Sequence, residues 1–243
     1  MQIHRMTVAS GLFCILGMLA ACAGHKQKQT ARPATPPPLT IPYAAAAHAG
    51  ASVYRLDSGA STVHVLVDKA GPLSGLGHRH VITVGGLHGF AQINTDGRGQ
   101  ADLRFPTTAL VVDPAAAQKI YTHYSTPSAE DVAGTREHML GPVLDSSRYP
   151  RVALHIQGRI GGMTHTLETT ITLHGVVHML KINGKFTRSS SRLTAQGNFS
   201  IEQSDFGITP YSIMFGALRV RDTLQIRYHL ARCRDRDQPA DRE

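Results

Sequence analysis

The chain contains no tryptophan, and only 6% of its 243 residues are aromatic. It also lacks a glycine-rich phosphate-binding loop and a serine in a nucleophile elbow. The triplet Asp205-Phe206-Gly207 stands without the other motifs that accompany it in protein kinases, which excludes that class. No pair of residues in the sequence indicates catalysis, and we therefore expect a binding protein that is not an enzyme and has no cofactor.

The N-terminus has the pattern of an export signal. A short cationic start precedes the apolar run Val8–Ala21, which is too short to span a bilayer as a mature helix. The run ends in Leu19-Ala20-Ala21-Cys22, which resembles the lipobox of bacterial lipoproteins. We expect residues 1–21 to be a lipoprotein signal peptide and Cys22 to be lipidated, so that the protein is exported and anchored to a membrane. Ala23 after the cysteine favours, by resemblance to such lipoproteins, the outer membrane facing the periplasm. An ordinary secretory signal is the alternative.

The two ends of the mature chain are expected to lie outside the folded domain. Residues 22–52 are rich in proline and alanine, which predicts an extended tether. Residues 231–243 form a short, highly charged tail that we expect to be disordered. With Cys14 in the signal and Cys22 lipidated, Cys233 is left alone, so no intramolecular disulfide is expected. Residues 53–230 then form one domain, stabilised by its core.

One-sided strands dominate this domain. Leu218–Leu230 carries apolar side chains on one parity and mainly polar, cationic ones on the other. The same alternation recurs around Ala101–Phe105, Val152–Gln157, Leu167–Leu173 and Leu193–Ile201. Many such strands with little helix between them predict an all-β, antiparallel barrel or sandwich. In a barrel, the apolar parity would line an interior that can hold a hydrophobic molecule.

Turn signals divide the rest of the domain. We expect separate strands at Val53–Leu56 and Ser61–Asp68, and a turn at Asn183-Gly184. Helical spacing within Pro114–Leu140, broken at Pro127, predicts a helical insertion that covers one end of the sheet.

Three segments, in order, resemble the YceI-like family of exported lipid-binding proteins. They are Arg136–Leu140 with the following Tyr149-Pro150, Ile171–Val176, and Asp205–Ile208 with the later Val220 and Asp222. The resemblance implies a lipocalin-like antiparallel barrel of roughly eight strands, a short helical insertion and an elongated apolar tunnel. It also implies a hydrophobic ligand of the polyisoprenoid type.

We expect the tunnel to be lined by inward-facing apolar residues. The candidates are Phe90, Leu103, Phe105, Leu154, Ile171, Phe199, Phe206, Phe215, Leu224, Ile226 and Tyr228. Each buried methylene contributes about 0.8 kcal/mol, so one isoprene unit is worth roughly 4 kcal/mol before the costs of ordering. The polar head of the ligand is expected at the open end, where an arginine or a histidine could meet it.

The 14 histidines raise an alternative, a metal-binding or haem-binding module on the same barrel. His78 and His80 would face the same side of a strand, and His88 or His138 could complete a site. Surface histidines that bind nothing are the competing interpretation. The net charge of +8 does not indicate nucleic acid, because the cations are spread along a strand and do not interleave with aromatic residues. A solvated outer face, or contact with an anionic membrane, explains them.

Overall fold

The computed structural model describes residues 41–124, 127–160, 164–189 and 191–234. Within these residues eleven strands form one antiparallel sheet, accompanied by three short α-helices. The strands are β1 Ser52–Ala70, β2 His80–Val84, β3 His88–Ile93, β4 Arg98–Pro106, β5 Leu110–Val112, β6 Arg151–Arg159, β7 Thr164–Leu173, β8 Val176–Arg188, β9 Arg192–Glu202, β10 Ser212–Ile213 and β11 Leu218–Arg234. The helices are α1 Ile41–His48, α2 Ala115–Ile120 and α3 Ala129–His138.

The sheet closes into a barrel because its last long strand pairs with its first. β11 lies antiparallel to β1, with Ile226 opposite Val65 and Tyr228 opposite Val63. The ring runs β1-β3-β4-β6-β7-β8-β9-β11 and contains eight strands, while β2, β5 and β10 are additional. The all-β, antiparallel barrel of about eight strands predicted from the sequence is confirmed.

Two predicted breaks in the strands are wrong. β1 is continuous through Asp57, where the register with β11 shifts and the carboxylate accepts hydrogen bonds from the backbone of Gly59 and Ala60. The turn signals there form an irregularity within one strand, not a loop between two. Asn183-Gly184 likewise stays inside β8. A Cβ at Gly184 would lie 2.6 Å from the hydroxyl oxygen of Tyr228, so this glycine provides room for a tyrosine and does not form a turn.

Both ends of the domain extend further than the sequence predicts. Residues 22–52 were expected to be an extended tether, but α1 lies within them, and Tyr43 is buried with its hydroxyl donating to Asp102 Oδ2 at 2.6 Å. The disordered tail was expected from residue 231, but β11 continues to Arg234, and Arg232 pairs with Leu193 of β9. Neighbouring strands override local composition here. Residues 1–21, where a signal peptide is predicted, Cys22 and residues 235–243 lie outside the described residues.

The predicted helical insertion is confirmed, and its two helices have different positions. α2 covers the outer face of β1 and β2, where Ala117 packs on Leu66 and Val81. α3 begins with a capping box between Ser128 and Asp131, runs into a π-helical turn at Met139–Val143, and lies over one end of the barrel. Among the described residues, no helix is long and apolar enough to cross a membrane.

Candidate functional site

The barrel encloses a cavity of about 590 Å³. Its wall is formed mainly by aliphatic residues that alternate with outward polar ones along each strand. At the end next to α3, cavity-lining residues such as His78, Glu130 and Arg219 are exposed, so this end is the mouth. At the opposite end the barrel is closed by a buried cluster, which we name the floor: Tyr54, Ala91, Ile93, Ala101 and Leu193.

Eight of the eleven predicted tunnel residues line this cavity. They are Leu103, Phe105, Leu154, Ile171, Phe199, Leu224, Ile226 and Tyr228. They come from five different strands, and the closure of the sheet brings them around one space. Their position in the cavity wall is thus established by the structure, while their contact with a ligand stays a prediction.

The other three predicted residues lie elsewhere. Phe90 faces outward on β3, stacked on Tyr43 at 5.5 Å, because the strand places its small Gly89 on the opposite, buried side. Phe206 is wholly buried beside the mouth end of the barrel, in a cluster of other core residues, and does not reach the cavity. Phe215 is fully exposed, in a loop with positive φ that precedes β11. Neither Phe206 nor Phe215 belongs to a strand, so strand parity does not place them.

Sequence reasoning missed a second group of wall residues. Val63, Val65 and Val67 alternate along β1 and line the cavity, and this alternation was visible in the sequence. Thr135 and Met139 of the insertion also line it. No periodic signal marks these two, because their place depends on how α3 docks on the barrel.

The polar groups at the mouth are engaged with protein partners. His80 Nδ1 lies 2.6 Å from Oδ2 of the buried Asp113, and its Nε2 lies 3.5 Å from the Thr135 hydroxyl. His138 Nδ1 lies 2.7 Å from the Gly134 carbonyl. Lys69 Nζ donates to the Gly77 carbonyl at 2.7 Å. These bonds orient the side chains that frame the opening.

The metal alternative is not favoured by this arrangement. The rings of His78 and His80 are 6.4 Å apart between centroids. His88 is exposed on β3, and its Nδ1 lies 3.1 Å from the Gly86 carbonyl. Within the part of the chain that the structure describes, no three histidine, cysteine, aspartate or glutamate side chains are grouped to hold a metal ion.

A buried charged residue, Arg232, lies at the floor. Arg232 follows Leu230 on the inward parity of β11, is 4% exposed and contacts the cavity. Burial lowers its pKa to about 10, while nearby Tyr43 and Asp102 favour its charged form, so it remains protonated at neutral pH. Its Nη1 is buried and has no hydrogen-bond partner among the described residues.

The Asp102 carboxylate is turned to other partners on the outer face. It accepts from Tyr43 at 2.6 Å and lies 2.8 Å from Nδ1 of His155. Burial and the bond to Asp102 raise the pKa of Tyr43 well above its usual range, so the phenol stays neutral and donates. This group therefore ties α1 to the barrel wall.

A closed antiparallel barrel with an apolar interior defines a lipocalin-like binding fold. The YceI-like domain family matches residues 54–231, and the chain belongs to this family. The sequence predicted a domain of residues 53–230, and both boundaries of the match lie one residue further along the chain.

Solved structures that share the fold include the following two. One is a polyisoprenoid-binding domain from Saccharophagus degradans implicated in plant cell wall breakdown, at 17% identity, with a TM-score of 0.52, covering 75% of this chain and 98% of that chain. The other is BcnA of Burkholderia cenocepacia, at 15% identity and a TM-score of 0.52, covering 72% of this chain and 98% of that chain. No curated protein matches the chain.

Proposed function

We propose that this protein binds a hydrophobic, isoprenoid-type lipid inside its barrel and sequesters or carries it in the bacterial periplasm. The observation that carries the proposal is the apolar cavity, which the inward parity of the strands builds along the interior of the barrel. Membership of the YceI-like family supports it, as does the shared fold of the Saccharophagus domain, which is named for polyisoprenoid binding.

The physical basis of binding is burial of hydrocarbon. Each isoprene unit that leaves water contributes roughly 4 kcal/mol, so a few units offset the cost of immobilising the ligand. A cavity of 590 Å³ lies within the range of small-molecule sites, about 300–1,000 Å³. Passive uptake through the mouth beside α3 requires no chemical step, which fits a role in storage or carriage.

The location in the periplasm rests on the N-terminal pattern. A lipid on Cys22 would hold the domain at the outer membrane, close to a source of lipid ligands. Metabolic labelling with a radioactive fatty acid tests this step, since the native chain should incorporate label and the C22S variant should not. Equal labelling of both chains, or labelling of neither, would contradict lipidation at Cys22.

The binding step can be measured with an introduced fluorophore. Because the chain has no tryptophan, Phe199→Trp places a single indole on the cavity wall. Phe90→Trp is the matched control, since Phe90 lies on the outer face of the barrel. Titration with geranylgeraniol should change the emission of F199W saturably with one site, and leave F90W unchanged. A folded F199W protein that shows no saturable change would contradict the proposal.

A further inference from the structure

The floor of the cavity contains an unused hydrogen-bond donor. Arg232 of β11 is 4% exposed and lines the cavity. It lies opposite Leu193 of β9 on one side and Leu56 of β1 on the other. Its Nη1 is buried without a partner among the described residues. A buried guanidinium with a free N–H is unfavourable unless something else pairs with it. The cavity is where such a partner can enter.

The charges around Arg232 do not remove this need. Asp102 is close enough to favour its charged state, but the two oxygens of that carboxylate face Tyr43 and His155. The cluster at the floor, including Tyr54 and Leu193, is otherwise apolar, and the Tyr54 hydroxyl accepts from Nε of Arg188 at 3.0 Å. Gln92 lines the cavity next to this cluster, but its side-chain oxygen and Nη1 of Arg232 both lack a hydrogen-bond partner among the described residues, so the two are not bonded to each other.

The mouth is a poorer place for an anion. Its cations are Lys69, which donates to a carbonyl, and Arg219, which is exposed to water. The carboxylates of Glu130 and Asp131 line the same opening and oppose a second negative charge. Contacts with exposed charges contribute little, whereas a buried guanidinium binds an oxyanion in a low-dielectric site.

We infer that Arg232 anchors the head group of the ligand, and that this head carries anionic oxygen, as a phosphate or a carboxylate. The inference rests on the proposed function. The lipid then lies with its head at the floor, against Nη1 of Arg232, and its hydrocarbon chain extends along the apolar wall towards the mouth. This orientation is opposite to the one expected from the sequence, in which the head stays at the open end.

The test compares three probes with one hydrocarbon chain: farnesol, farnesoic acid and farnesyl phosphate. They are titrated into F199W protein and into F199W carrying either Arg232→Met or Arg219→Met. Both substitutions replace a cavity-lining arginine with an apolar side chain of similar length, one at the floor and one at the mouth. Circular dichroism and thermal melts verify that each variant is folded.

We expect the unsubstituted reporter protein to bind at least one anionic probe 10-fold or more tightly than farnesol. R232M should weaken that probe by about 30-fold and change farnesol by less than 3-fold, while R219M should leave both nearly unchanged. Preference for the phosphate or for the carboxylate identifies which head the site takes.

Three outcomes would overturn the inference: equal affinity for farnesol and both anions, an anion preference that survives in R232M, or one that is lost in R219M instead. If R232M does not fold, two results still test the inference. They are the relative affinities of the unsubstituted reporter protein for the three probes, and the effect of R219M on those affinities. Failure of all three probes to bind would instead contradict the proposed function itself.

Discussion

Placing a carboxyl group on the inner wall should block ligand uptake, whereas placing it one residue further along the chain should not. Leu224 and Gln225 are neighbours on β11, opposite Val67 and Leu66 of β1. Leu224 lines the cavity, while Gln225 is exposed on the outer face. The pair L224D and Q225D therefore applies similar chemistry to two sides of one strand.

The expected effect follows from two terms. Loss of the leucine removes about 2 kcal/mol of apolar burial with the ligand. A protonated carboxyl covered by hydrocarbon without a partner costs about 1–3 kcal/mol more, and an ionised one costs more still. Together they amount to about 3–5 kcal/mol, or roughly a 10²- to 10⁴-fold rise in Kd.

The assay is the geranylgeraniol titration of F199W protein, with both aspartate variants made in that background. L224D should lose measurable binding and keep the barrel's circular dichroism, because Leu224 is only half-buried in the empty cavity. Q225D should bind within about 3-fold of the parent, since a change on the outer face alters no ligand contact. Binding by L224D that equals that of Q225D would refute the assignment of this face as the ligand wall.

Three further expectations concern the scaffold. Gly89→Ala would put a Cβ 2.0 Å from the Asp102 carbonyl oxygen, and should lower the free energy of unfolding by about 3 kcal/mol or more in denaturant titrations. Arg232→Met should raise the stability of the ligand-free protein at pH 7 by roughly 1–4 kcal/mol, because burying the charge is unfavourable and lowers the arginine's pKa to about 10; a loss of stability would contradict this. Hydrogen bonds from Ser128 lower the pKa of Asp131, so the capping box stabilises α3 above the ordinary aspartate pKa and is lost as pH falls through the lowered one. The protection factors of the α3 amides, which correct for the pH dependence of intrinsic exchange, should fall over that range in the native chain, and should be low and less dependent on pH in S128A.

The architecture and most of the cavity wall could be predicted from the sequence because they depend on strand parity. The alternation in Leu218–Leu230 places Leu224, Ile226 and Tyr228 on one face, and the structure has them on the cavity. Barrel closure could not be read from parity, which fits a sandwich equally well. It followed from the resemblance to the YceI-like family, and the pairing of β1 with β11 confirms it.

The failures share a different cause, since they occur where tertiary contacts decide local structure. Residues Ile41–His48 are rich in alanine and follow prolines, yet they form a helix that is tied to the barrel through Tyr43. Arg232 stands in a charged run that is typical of a disordered tail, but pairing with β1 and β9 extends β11 and turns this arginine inward. Phe206 and Phe215 lie in turns, where aromatic character alone does not tell a core residue from an exposed one.

The central claim is that the cavity holds an isoprenoid lipid, and native mass spectrometry tests it most directly. The C22S variant, exported to a bacterial periplasm and purified without detergent, would be weighed intact, and its bound material extracted into organic solvent. We expect an adduct of isoprenoid mass that is absent from the matching L224D protein and present in Q225D. A folded protein that carries no lipid, or an adduct that L224D retains in full, would contradict it.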